Sequence, residues 1–114
     1  MNTSAPQLLD RTFNALADPT RRAILVRLAR GPATVGELAQ PFAMSLPAIS
    51  RHLKVLVAAA LIDNARDGKS RRCQLRVAGL GGAREWLDFQ HRFWSGSLDR
   101  LETPLKTRRT ESPS

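Results

Sequence analysis

Cysteine is almost absent from this chain of 114 residues. Cys73 stands alone, so no intramolecular disulfide can form and a small secreted, disulfide-stapled fold is excluded. Transition-metal sites need three or four Cys, His or carboxylate ligands, and the chain offers that one thiol and two distant histidines, His52 and His91. Long hydrophobic runs are also missing. The longest, residues 55–62, is far short of the ~20 residues that cross a bilayer, and residues 1–10 lack the apolar core of a secretory signal. No nucleophile, base and orienting group cluster together, and no glycine-rich phosphate loop is present, which argues against an enzyme. No internal repeat is visible. These absences leave a cytoplasmic protein with no cofactor, no metal and no membrane partner, and its length is that of a single core.

Acidic residues are scarce relative to basic ones. The net charge is +8, which favours polyanionic partners. Residues 41–77 carry seven basic and two acidic groups, against five and three in residues 1–40 and three and four in residues 78–105, so most of the excess is concentrated in one stretch.

Helical spacing of Leu9, Phe13 and Leu16 predicts a first helix over residues 7–17. Asp18-Pro19 then sets an N-cap and a first-turn proline ahead of Ile24, Leu25 and Leu28, and Gly31-Pro32 ends that second helix. Thr34 and Glu37 form a capping box for a short third helix that Pro41 stops. Ser45 caps a fourth, over residues 45–60, whose buried stripe is Ile49, Leu53, Leu56 and Ala60 and whose opposite side carries Pro47, Arg51 and Lys54. Residues 62–66 and 69–77, joined at Asp67-Gly68, read as a hairpin with Cys73, Leu75 and Val77 inward and Arg72, Gln74 and Arg76 outward. The last helix spans residues 80–105, about 39 Å if helical throughout.

Capped helix, turn, second helix and arginine-rich hairpin are the order of a winged helix-turn-helix. A recognition helix must dock one apolar side on the scaffold and offer small or hydrogen-bonding groups to base edges with the other. Ser45, Pro47, Ala48, Ser50, Arg51, His52 and Lys54 are the candidate DNA contacts there. The N-terminus at Ser45 offers backbone N–H groups to a phosphate, Arg51 suits guanine, Lys54 suits a phosphate, and His52 either touches DNA or bonds a neighbour. In the hairpin, Arg66, Lys69, Arg71 and Arg72 are the candidate phosphate contacts of a wing.

The final helix carries more apolar surface than one contact needs. Leu80, Leu87, Trp94 and Leu101 recur at sevenfold spacing, with Trp86 and Phe93 beside them. One line can pack on the first helix and the other on a second copy, so a homodimer is expected, with Leu9, Phe13, Trp86, Phe93, Trp94, Leu98 and Leu101 at its interface. Asp88 and His91 share a helix face and would hold metal only with help such as Asp99 or Glu102 from a second subunit. Cys73 is expected to pack inward as an inert thiol.

Three stretches together resemble the ArsR-type (ArsR/SmtB) winged-helix transcriptional regulators, from about Leu9 to Leu105: Ala15-Leu16-Ala17-Asp18-Pro19-Thr20-Arg21-Arg22-Ala23-Ile24-Leu25, then Val35-Gly36-Glu37-Leu38-Ala39, then Ser50-Arg51-His52-Leu53-Lys54-Val55-Leu56. The resemblance implies a mainly α fold (α+β) of five helices with a two-stranded β-hairpin wing, in the order α-α-α-α-β-β-α. It further implies dimerisation through the first and last helices and repression by occluding a promoter at an inverted-repeat operator. Family sensors of arsenite-like ions carry cysteines before the recognition helix, where this chain has Glu37-Leu38-Ala39-Gln40, and the paired Asp/His pattern of zinc-type sensors is not followed. The chain therefore looks like the branch with no recognised metal site, whose small-molecule inducers are often unknown. The expected layout is a flexible N-terminus (1–6), a winged-helix domain (7–105) with dimerisation helices at 7–17 and 80–105, and a flexible basic tail (106–114). The alternatives are a metal- or thiol-responsive regulator of the same fold and a winged-helix module that binds RNA or protein.

Overall fold

The computed structural model describes the backbone of residues 5–68 and 70–102, and their side chains except at residues 5, 67, 70 and 99–102. Of the two expected flexible ends, residues 1–4 and 106–114 lie outside the described residues, as does Lys69.

The first helix, α1, is Ala5–Leu16. It starts two residues before the expected position 7, because Pro6 in a first turn needs no N–H partner and so extends the helix at no hydrogen-bonding cost. Asp18 is the N-cap of α2 (Pro19–Leu28) and its carboxylate accepts from the Arg21 N–H at 3.0 Å. After α2 the chain turns at Gly31, whose φ of 143° suits glycine. A two-residue strand, β1 (Ala33–Thr34), leads into α3 (Val35–Ala39). The capping box is formed in both directions: Thr34 Oγ1 accepts from the Glu37 N–H at 3.1 Å, and Glu37 Oε1 accepts from the Thr34 N–H at 2.8 Å. A 3-10 turn, Gln40–Phe42, ends at Ala43 in a left-handed conformation with φ 52°, and Ser45 then caps α4 (Leu46–Ala58).

The end of α4 corrects the expected stripe. Ala60 donates to the Val57 carbonyl and Leu61 to the Leu56 carbonyl, at 2.9 and 3.0 Å, with Ala60 left-handed at φ 60°. This pair of bonds is the Schellman closure of a helix. It takes Ala60 off the helical path, so Ala59 occupies the buried position expected of Ala60.

Strands β2 (Ile62–Asp67) and β3 (Ser70–Leu75) pair antiparallel from Ile62↔Leu75 to Asp67↔Ser70. The turn therefore falls one residue beyond Asp67-Gly68, with Gly68 at φ 66°. The wing is joined by β1, which pairs with β3 through Ala33↔Cys73 and Thr34↔Arg72, giving the order β1-β3-β2. Cys73 is buried as expected, but the alternation stops at Leu75. Val77 begins a 3-10 turn (Val77–Leu80) and is 69 % exposed rather than inward, because the chain turns out of the ladder after Arg76, whose carbonyl accepts from the Gly79 N–H at 3.0 Å.

Helix α5 is Gly81–Glu102. The chain divides into a unit spanning Met1–Ala83 and one spanning Arg84–Ser114. In the first, Ile24, Leu28, Leu38, Ile49, Leu53, Leu56, Leu61 and Ile62 form a single apolar cluster closed by Ala33 and Cys73. That cluster holds α4 by one side only, which is the condition for a helix with a free outer face. In the second unit, Phe89 and Phe93 stack with centroids 6.5 Å apart, and Arg84 lies 3.8 Å from Asp88 one turn on.

Candidate nucleic-acid interface

The first requirement of a reading helix is an anchored back and an open front. Ile49, Leu53 and Leu56 are buried, whereas Ser45, Pro47, Arg51 and Lys54 are exposed and Ala48 and Ser50 are half-buried. Ser45 Oγ accepts from the Ala48 N–H at 3.3 Å, and Pro47 lacks an N–H, so the first turn of α4 is capped by its own residues.

His52 is turned the other way. Its Nδ1 lies 3.2 Å from Arg21 Nη1 and 3.9 Å from the Asp18 carboxylate. A guanidinium only donates, so Nδ1 is the acceptor in the contact with Arg21. Arg21 also donates through Nε to the Ala15 carbonyl and through Nη2 to the Asn14 carbonyl, both at 2.9 Å. One side chain of α2 therefore satisfies the end of α1 and clamps α4. Sequence reasoning missed this role for Arg21, although a buried-face histidine next to an invitingly placed arginine is recognisable only once α2 and α4 are packed. The Asp18 carboxyl is held below its ordinary value first by the Arg21 backbone N–H and further by the Arg21 and His52 side chains, and that of Glu37 first by the Thr34 backbone N–H.

Register sorts the wing arginines. Arg66 stands directly opposite Arg71, and Asn64 opposite Cys73, so these four share the sheet face that carries the buried thiol. Arg72 lies opposite Ala65 on the other face, where it adds to the depression of the Glu37 carboxyl, and Arg76 reaches Asp63 at 3.9 Å. Like charges facing across a ladder are destabilising unless an anion lies between them. Among the described residues, Arg51, Lys54, Arg66 and Arg71 have no ion pair or side-chain hydrogen bond. Arg71 and Lys54 line one cleft between the hairpin and α4, together with Ser50 and Asn64. The structure thus brings Lys54 and Arg71 to one cleft, with Arg66 opposite Arg71 on the ladder, and directs His52 to Arg21 instead.

The Cys73 thiol donates to Asn64 Oδ1 at 3.1 Å, and burial pushes its pKa up. Among the described residues no group of three His, Cys, Asp or Glu could hold a metal ion, and no helix is long and apolar enough to cross a membrane. The side chains of Asp99, Glu102 and Leu101 are outside the described residues.

Along α5, Trp86, Phe93, Trp94 and Leu98 are exposed, as are Leu87 and Phe89. Leu9 and Phe13 of α1 are half-buried.

A capped docking helix, a reading helix with an open cationic front and a basic hairpin beside it define a winged helix-turn-helix. Residues 16–64 match a helix-turn-helix domain family. The chain is 51 % identical over 89 residues to the HTH-type transcriptional regulator Rv2034 of Mycobacterium tuberculosis, covering 78 % of this chain and 80 % of that one. It is 37 % identical over 79 residues to the transcriptional repressor SdpR of Bacillus subtilis, covering 69 % and 88 %. The crystal structure of an ArsR family transcriptional regulator superposes with a TM-score of 0.74 at 42 % identity, covering 83 % of this chain and 97 % of that one. The chain belongs to the ArsR family of transcriptional regulators.

Proposed function

We propose that this protein is a homodimeric, sequence-specific regulator that binds duplex DNA and represses transcription at an inverted-repeat operator, without catalytic activity of its own. The observation that carries the reading is the two-sidedness of α4: Ile49, Leu53 and Leu56 buried, Pro47, Arg51 and Lys54 exposed, with Arg71 of the hairpin lining one cleft with Lys54. In this reading α4 lies in the major groove with Arg51 at a base edge, while Lys54 and the wing arginines meet the phosphates. The similarity to a repressor supports the direction of regulation. The exposed Trp86, Phe93, Trp94 and Leu98 of α5 supply apolar surface that a second copy would cover, with the half-buried Leu9 and Phe13 of α1 contributing. Two copies related by a twofold axis would place their reading helices about one helical turn, roughly 34 Å, apart.

Selection of bound fragments from a random duplex pool tests this directly, since the recovered motif reports both symmetry and half-site spacing. On that motif, Arg51→Ala is expected to cost about 1 to 3 kcal/mol and to relax preference at one base pair, whereas Arg71→Ala weakens all duplexes about equally and lowers the salt slope by about one. Equal losses from both variants on matched and scrambled duplexes would refute the division of roles. A recovered motif without twofold symmetry would refute the dimer.

A further inference from the structure

Between α4 and the hairpin lies a cavity of about 350 Å³ that phosphate contact does not explain. Val35 of α3 and Leu53 and Val57 of α4 make its floor, while Asn64, Lys54 and Arg71 stand around it. A duplex backbone needs cations and hydrogen-bond donors, and has no use for an apolar recess one turn beyond the reading residues. Yet Val57 is left 39 % exposed there. The volume lies at the lower end of the ~300 to 1,000 Å³ typical of sites that enclose a small organic molecule. The two cations have no ion-pair partner among the described residues, and a carboxylate suits them both, taking two parallel bonds from the guanidinium and a point charge from the ammonium.

We infer that this cleft binds a compact organic carboxylate, its apolar body on Val35, Leu53 and Val57 and its charge between Lys54 and Arg71, and that such a ligand releases the protein from DNA. Release, unlike occupancy, rests on the function proposed above. It follows from competition: the cations that neutralise the carboxylate are those assigned to the DNA backbone, so ligand and duplex exclude one another. The ligand thereby acts as an inducer without a second conformation of the protein.

The test uses 2-naphthoate, with 2-naphthalenemethanol as its uncharged counterpart, on the full chain. Amide shift mapping should show saturable changes centred on Val35, Ser50, Val57 and Asn64, with the alcohol at least about tenfold weaker. In a duplex titration, 2-naphthoate at nine times its dissociation constant should raise the apparent duplex Kd about tenfold per competing site. Val57→Trp, which fills the floor, should abolish both the shifts and the release while leaving duplex binding intact. Ala58→Phe, at the neighbouring position of the lining, provides a second version of the same block. Shifts centred elsewhere, an alcohol that binds as tightly, no saturation at millimolar ligand, or a Val57→Trp protein that still responds would each overturn the inference. Should 2-naphthoate occupy the cleft of a protein that binds no duplex, the DNA reading fails and the ligand site stands. Should duplex bind and the cleft stay empty, the reverse holds.

Discussion

Gly79→Ala is a single-methyl change aimed at the junction that follows the reading helix. A Cβ built on Gly79 would sit 1.8 Å from the Ala60 carbonyl oxygen and 2.7 Å from its carbon, with the Leu61 Cα at 3.3 Å. The first contact is 1.2 Å short of the 3.0 Å below which such contacts essentially never occur. All three atoms are backbone, so no rotamer can relieve the clash. Ala60 is the left-handed closing residue of α4, and the Leu61 carbonyl accepts the Arg76 N–H at 2.8 Å. Relief therefore means displacing either the end of α4 or the base of the hairpin. Overpacking of side chains costs ~1 to 3 kcal/mol, and a backbone clash belongs at or above the top of that range, about 3 kcal/mol. At roughly 4 °C per kcal/mol for a domain of this size, Tm should fall by about 12 °C. Gly82→Ala is the matched control: apart from its chain neighbours and its own helix backbone, no atom among the described residues lies within 4 Å of its added Cβ, it sits in the first turn of α5, and it should gain up to ~1 kcal/mol from helix propensity. Both are read by circular dichroism melts and urea titrations at one fixed protein concentration, because the proposed dimerisation would make Tm concentration-dependent. A Gly79→Ala protein melting within about 2 °C of the parent would refute the close approach of residues 60 and 79.

A double-mutant cycle of Arg21→Met with His52→Ala should give a coupling of about 0.5 to 1.5 kcal/mol, because the contact is charge-assisted but partly exposed; a coupling of zero within error would detach the clamp from α4. The Asp18 and Glu37 carboxyls have native pKa values lowered from 3.8 and 4.5, so the stability they contribute is present above those values and is lost as pH falls through the lowered native ones. The urea midpoint should accordingly fall below about pH 4.5, and less steeply in Asp18→Asn, which keeps the cap acceptor but not the charge; identical profiles for the two proteins would contradict this. Cys73, buried and with its pKa pushed up, should be alkylated by iodoacetamide at least about a hundredfold more slowly in the native protein than in urea, and equal rates would expose the thiol. Trp94→Ala should weaken a concentration-dependent dimer seen by light scattering, and a parent protein monomeric at micromolar concentration would remove that role from α5.

Local signals were legible in the sequence because their physics is local. A cap is a bond between a side chain and a backbone group three residues on, so Asp18 with Arg21, Thr34 with Glu37 and Ser45 with Ala48 announce three helix starts from spacing alone. The buried stripe Ile49, Leu53, Leu56 and the exposed Pro47, Arg51, Lys54 likewise follow from about 100° of rotation per residue. Where local rules end, the sequence reading drifted: Ala60 left the stripe because the helix closed in a left-handed residue, and Val77 left the strand because a 3-10 turn closed from the Gly79 N–H onto the Arg76 carbonyl.

By itself the chain determined its helices, its hairpin and which side of the reading helix stays wet, since each depends on residues within one or two turns of each other. Packing alone decided that Arg21 meets His52 across 31 positions, that β1 adds to the wing through Ala33↔Cys73, and that Arg71 rather than Arg72 shares a cleft with Lys54. Those contacts depend on crossing angles and strand register, which emerge only when every apolar face is buried at once, and no spacing along the chain encodes them.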